Sequence, residues 1–313
     1  MNNTIRGDRL PSTTISPHPE LAGQLAVVTG ATAGIGFQTA RLLARRGASV
    51  LLTGRDPQRG ANAVAAIRGE AKHDRVDFLP VDHSTVGANE RLAIQIKSRF
   101  DHLDVLVNNV GGVFPKRLLT PDGYELTLAL NFLAPFVLTE ALQPLLTAAS
   151  VPARCVNVVS SSFNMTKGDP FDDLQTATGY IGIYVHARAK LLTLLWTKGI
   201  SHQIDGGDLV VTAVNPGMAW TPMTQSLTPE SVPAWRYIFP VVRFFQRRAK
   251  AERAATRCES IVLAEQSGVA GRYFDGAKER PLPQRFADPT LPARVQAIGA
   301  DLRTSAPTAG ALS

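Results

Sequence analysis

Six short runs rich in apolar and β-branched residues, each followed by a longer amphipathic stretch, leave this chain few architectures to fold into. The runs are residues 25–29, 50–53, 76–81, 103–107, 155–159 and 209–214, and helical patterns fall near 34–46, 58–69, 88–100, 124–146 and 180–202. Apolar residues that run on without alternating mark strands buried on both faces. Strand–helix alternation repeated in this way predicts an α/β chain: a single-domain doubly wound parallel sheet, the Rossmann fold, with helices on both faces. Residues 1–20, with Pro11, Pro17 and Pro19 and no periodicity, read as a flexible lead to a domain over 21–280. The rhythm breaks at 218–250, a candidate substrate lid, and resumes with a helix over 251–266 and a short strand over 271–274; 281–313 reads as a C-terminal extension.

The first strand runs into Thr29-Gly30-Ala31-Thr32-Ala33-Gly34-Ile35-Gly36, which opens a helix. Gly30 allows a tight exit from the strand, Gly34 lets backbone approach a pyrophosphate, and Gly36 lets the helix pack closely on the sheet. With the free N–H groups of the helix start, the turn from Gly30 through Thr32, Gly34 and Ile35 to Gly36 is a candidate dinucleotide cradle. Beyond the second strand stand Arg55 and Arg59, where NAD-binding chains usually place a carboxylate for the ribose hydroxyls. A guanidinium pairs with a 2′-phosphate through two parallel bonds, so NADP(H) is preferred over NAD(H), with Asp56 keeping the other choice open.

Composition excludes several alternatives. Apolar residues make up 44 % of the 313, too many for a disordered chain, and Cys155 and Cys258 alone cannot form a disulfide scaffold. Two sparse thiols suit a reducing compartment, so a cytoplasmic location is expected. No apolar run approaches the ~18 residues of a membrane span, and residues 1–19 lack the apolar core of a signal peptide. A net charge of +7 would draw the chain to anions, yet no basic run is interleaved with aromatics as a nucleic-acid platform. The histidines show no metal-ligand spacing, and no metal is expected.

The Thr-Gly-x-x-x-Gly-x-Gly spacing and Asn108-Asn109-Val110-Gly111 after the fourth strand resemble the short-chain dehydrogenase/reductase superfamily over about residues 22–275. Gly54-Arg55-Asp56, Phe171-x-x-Leu174-Gln175 and Gly271-Arg272-Tyr273-Phe274 look most like its retinol dehydrogenase and WW-domain oxidoreductase branch. The resemblance implies an adenine contact at Asp82 and cofactor contacts at Asn108, Val110 and Gly111. It implies a relay-holding Asn131, a catalytic serine at Ser160 with Ser161 as fallback, and a nicotinamide-amide turn at Pro216, Gly217 and Thr221. It also implies dimers or tetramers built on the long helices around 124–146 and 180–202.

The proton donor departs from the family pattern of Tyr-x-x-x-Lys. Lys190, with the apolar run that follows it, fits the family's lysine, and four residues upstream stands His186 in the tyrosine's place. A competing register pairs Tyr184 with Arg188; six residues at ~100° each put Tyr184 and Lys190 about 120° apart on a helix. Histidine is a competent acid or base near neutral pH. Trp220, Trp235, Tyr237, Phe239, Phe244 and Phe245, interspersed with Arg236, Arg243, Arg247 and Arg248, suggest an apolar pocket for a lipophilic substrate, or a face for an anionic membrane surface. The leading expectation is an NADP(H)-dependent oxidoreductase on a lipophilic carbonyl or alcohol. The alternatives are a non-redox isomerase, cyclase or lyase using His186, and a catalytically silent nucleotide-binding protein.

Overall fold

The computed structural model describes residues 20–203, 208–225, 249–264 and 269–307. Eight strands form one sheet in the order β3-β2-β1-β4-β5-β6-β7-β8. They are β1 (Leu25–Val28), β2 (Ser49–Gly54), β3 (Val76–Pro80), β4 (Val105–Asn108), β5 (Ala153–Val158), β6 (Leu209–Asn215), β7 (Tyr273–Asp275) and β8 (Lys278–Glu279). Every pairing is parallel except β7–β8. The strand order reverses between β1 and β4, where the carboxyl ends of an open parallel sheet diverge and leave a crevice. β8 was not expected from the sequence: its two residues are exposed and carry no apolar pattern.

Helices cover both faces. On one side α1 (Gly34–Arg45) and α2 (Pro57–Ala71) pack with a later helix, and Leu43, Ile67, Cys258 and Ile261 share a core with Val28 and Leu52. On the other lie α3 (Val86–Lys97), α4 (Leu126–Leu146) and α5 (Gly182–Gln203), whose Phe132, Phe136 and Trp196 pack against Val27, Leu51 and Leu106. Each such fully buried side chain contributes about 1.5–3 kcal/mol. Local chemistry sets the starts. Asp56 accepts from Arg59 N at 3.0 Å ahead of Pro57, Thr85 from Ala88 N at 3.3 Å, and Glu125 from Thr127 N and Leu128 N at 2.8 Å each.

Helix α4 is long and apolar enough to cross a membrane, with a mean hydropathy of 1.4 over its 18-residue window, where the sequence runs suggested no such segment. Burial within the protein takes up 72 % of that window, and α4 is a core helix here. It widens into a π-turn over Ala129–Leu133. Pro135 has no N–H to give the carbonyl of Asn131 four residues back, and its ring presses on that carbonyl. The freed oxygen accepts instead from Thr193 Oγ on α5 at 2.7 Å.

The helix starting at 251 is α7 (Ala251–Val262), after a short α6 (Pro222–Gln225). The segment expected to be an extension beyond 280 forms α8 (Leu291–Thr304), and Phe286, Leu291 and Val295 belong to the main core. Trp196 Nε1 donates to Gln296 on α8 at 3.1 Å, and Tyr124 Oη donates to Leu302 O at 2.6 Å. α8 thus lies over part of the helix surface on which association was expected.

Candidate active site

A cleft of about 340 Å³ opens at the carboxyl edge of the sheet beside the β1–β4 divide. Gly30, Thr32, Gly34 and Ile35 form one wall, Val110, Gly111 and Asn131 the floor, Ser160, His186 and Lys190 the far end, and Pro216, Gly217 and Thr221 the rim. A second hollow of about 570 Å³ shares Gly30, Thr32, Arg55, Arg59, Val110 and Gly111 with the first and continues to Asp82 and His83. Together they make one elongated groove across the strand ends.

The glycine turn is built for close approach. Gly30 and Gly34 hold φ of 62° and 60°, a region that disfavours side chains. Thr29 Oγ accepts from Asn109 N at 2.9 Å and Val110 N at 3.0 Å, tying the turn to the β4 loop. No side chain caps α1, and its first turn carries no acidic residue, so its N–H groups are left for an anion. Gly36 does not line the groove. A Cβ there would collide with Asn109 Nδ2 and lie 2.6 Å from Gly30 O, so its role is packing beneath the turn.

Of the paired asparagines, the structure puts Asn109 in the cleft and Asn108 beneath it. Asn108 Nδ2 donates to Asn157 Oδ1 at 2.8 Å and Thr139 Oγ at 2.9 Å, and Asn157 Nδ2 reaches Thr197 Oγ at 2.9 Å. At Asn108, an expected cofactor contact, the side chain joins β4 to β5 and α4, and Asn157 carries the link on to α5. Asp82 lies in the second hollow with Oδ1 accepting from Ser84 N at 3.0 Å. Arg55 and Arg59 are exposed at the junction of the two hollows, and among the described residues neither is ion-paired.

At the far end, His186 and Lys190 are 5 % and 6 % exposed, one helical turn apart on α5. Lys190 Nζ donates to Val158 O at 2.8 Å, and burial pulls its pKa down to about 7. Burial, and then the Lys190 charge, bring His186 down to about 3, so its imidazole is neutral across physiological pH. Asn131 Nδ2 donates to Gly112 O and Thr127 O at 2.8 Å each, and its buried Oδ1 has no partner among the described residues. Ser160 lines the cleft, with Oγ accepting from Ser162 N at 3.2 Å; Ser161 is exposed.

Tyr184 does not line the cleft. Lys167 sits over its ring at 5.5 Å, and Arg188 is tied to Asp172 O at 2.6 Å and to Thr176. The competing Tyr184–Arg188 register therefore brings neither side chain to the site. Sequence reasoning missed Asn109, Ser162, Asn215 and the apolar pair Val158 and Val159. Asn215 Oδ1 accepts from Gly217 N at 3.1 Å and so shapes the rim. Trp220 is absent from the described lining, and the aromatic and basic residues expected at 235–248 lie outside the described residues.

A buried histidine of lowered pKa links stability to pH. Between about 6.5 and 3 the unfolded chain binds a proton that the folded imidazole refuses, so stability falls as pH drops through that window. His186→Gln should lose less melting temperature than the wild type between pH 7 and 4 by scanning calorimetry. Equal losses would exclude a buried neutral His186.

An open parallel sheet, a switch-point groove and an uncapped helix start behind a glycine turn define a dinucleotide-binding α/β enzyme. The short chain dehydrogenase profile matches residues 24–231, and the chain belongs to that family of oxidoreductases. It is 32 % identical over 288 residues to human retinol dehydrogenase 13, covering 91 % of this chain and 84 % of that one. It is 34 % identical over 283 residues to mouse polyprenol dehydrogenase, covering 89 % and 82 %. Among solved structures, an uncharacterized protein from Mycobacterium paratuberculosis superposes with a TM-score of 0.68 at 25 % identity, covering 90 % and 94 %. The NADP active-site complex of Pseudomonas aeruginosa RhlG gives 0.62 at 26 %, covering 83 % and 97 %.

Proposed function

We propose that this chain uses NADP(H) to interconvert a lipophilic alcohol and its carbonyl compound, with His186 exchanging the proton. The observation that carries the reading is the single groove joining the bare start of α1, Arg55 and Arg59, which have no ion-pair partner among the described residues, and the buried His186–Lys190 pair. Uncapped N–H groups suit a diphosphate, two exposed guanidinium groups suit a 2′-phosphate, and Lys190 at the far end suits ribose hydroxyls. A bound nicotinamide would supply or take the hydride. The protein's part is to hold the substrate oxygen near Ser160 and His186, where a hydroxyl stabilises developing charge and an imidazole handles the proton. The lipophilic substrate class follows the names of the retinol and polyprenol relatives.

The test is turnover followed by nicotinamide absorbance, offering isoprenoid alcohols and aldehydes with NADP(H) and NAD(H) in parallel. Arg55→Ala/Arg59→Ala should raise KM for NADPH about tenfold or more, since each guanidinium–phosphate bond is charge-assisted, and leave KM for NADH within about twofold. A wild type that uses NADH equally well would remove the 2′-phosphate assignment. Absence of hydride transfer to any substrate would remove the whole reading.

A further inference from the structure

His186 is buried, yet any proton it hands to a substrate must be replaced. The ring has one connection outward among the described residues: Nδ1 meets Ser162 Oγ at 3.1 Å. Ser162 is only half-buried and lies on the 3-10 turn Ser161–Met165, beside the exposed Ser161 and Asn164. Its backbone N–H is held by Ser160 Oγ, which fixes the turn relative to the cleft. Nε2 has no protein partner among the described residues, and the residue lines the cleft. Lys190, the charged neighbour on the same helix face, is turned to Val158 O and opposes protonation of the ring.

We propose that Ser162 is a positioning residue that pins the neutral His186 ring with Nε2–H toward the cleft and passes its protons to and from solvent. The proposal rests on the oxidoreductase reading above. In the direction of carbonyl reduction, a hydride from the reduced nicotinamide nucleotide forms the new C–H bond and the carbonyl π pair moves onto oxygen. Nε2–H gives its proton to that oxygen, Nδ1 takes the Ser162 hydroxyl proton, and the hydroxyl regains one from water. One proton has then passed from solvent to alcohol, and His186 returns as a neutral ring with its hydrogen on the other nitrogen. Once the alcohol has left, Nε2 takes a proton from water in the cleft while Nδ1 releases its own through Ser162 to solvent, and the starting tautomer is restored. A full imidazolium beside Lys190 is avoided throughout, which matters because burial and that charge both penalise it.

Two measurements on the full chain test this. Nitrogen NMR of the imidazole, with no nucleotide added, should show wild-type His186 as one neutral tautomer carrying hydrogen on Nε2. Ser162→Ala should show a mixture, and Ser162→Thr, which keeps the hydroxyl, should match the wild type. In turnover with NADPH and an isoprenoid aldehyde, Ser162→Ala should lower kcat about tenfold or more, with KM for the aldehyde within twofold, and Ser162→Thr should restore it. Wild-type hydrogen on Nδ1, or an unchanged kcat in Ser162→Ala, overturns the proposal. If the wild type itself transfers no hydride, the functional reading fails, and the tautomer in Ser162→Ala alone decides whether Ser162 pins the ring.

Discussion

Lys190→Met is expected to keep the fold, gain stability at neutral pH, and lose about two to four orders of magnitude in kcat/KM, the scale on which acid–base and positioning groups operate. The ammonium lies in the cleft at 6 % exposure, bonded to Val158 O, near Gly111 and the buried Asn131 amide. Burial brings it to about 7 from 10.5. Between those values the unfolded chain holds a proton that the folded lysine has released, so wild-type stability rises with pH across the window. Methionine fills much of the same volume without the desolvation penalty, and the variant should melt higher at pH 7 and lose that slope. The nucleotide should sense the same titration. Wild-type affinity for it should weaken as pH rises through about 7, whereas the variant's affinity should be weak and flat. Titration calorimetry and melting curves from pH 6 to 9 read both effects. A Met variant with wild-type turnover would take Lys190 out of the chemistry.

The parts legible from sequence are those in which one physical requirement dominates. Strands buried on both faces need near-continuous apolar runs, and a diphosphate at a helix start needs glycines, so β1–β6 and the Gly30–Gly36 turn could be read directly. Placement within the site depended on geometry that spacing does not carry. Adjacent residues at a strand end face opposite ways, so two consecutive asparagines could not be told apart until Asn108 proved to join the strands and Asn109 the turn. The three serines posed the same problem: the 3-10 turn that gives Ser160 to the cleft and Ser162 to His186 leaves no mark in composition. Tyr184 stands two residues from His186, about 200° around a helix, and this separates them although they are neighbours in the chain. The signal for the π-turn was present and unused, namely Pro135 four residues after Asn131. α8 was obscured because Pro281, Pro283, Pro289 and Pro292 suggest a loose tail, while Leu291, Val295, Gly299 and Leu302 repeat at helical spacing.

Gly111→Ala should weaken nucleotide binding about ten- to a hundredfold and lower the melting temperature. The change adds one methyl group, which at most surface glycines would do neither. A Cβ at 111 would lie 2.5 Å from Asn131 Oδ1 and 3.4 Å from Lys190 Nζ. Asn131 cannot swing aside, because both hydrogens of its amide are held by Gly112 O and Thr127 O and the residue is fully buried in the π-turn. The floor of the cleft must therefore rise or the α4 turn must shift. Overpacking of this kind typically costs about 1–3 kcal/mol, roughly the affinity range expected here. Gly69→Ala is the control: it lies in α2 with nothing within 4 Å of an added Cβ, and alanine is the better helix former. Asn131→Ser removes the colliding oxygen, so Gly111→Ala should destabilise a chain already carrying Asn131→Ser much less than the wild type. Equal costs in both backgrounds, measured by denaturant titration, would mean that the space over Asn131 is not what requires glycine at 111.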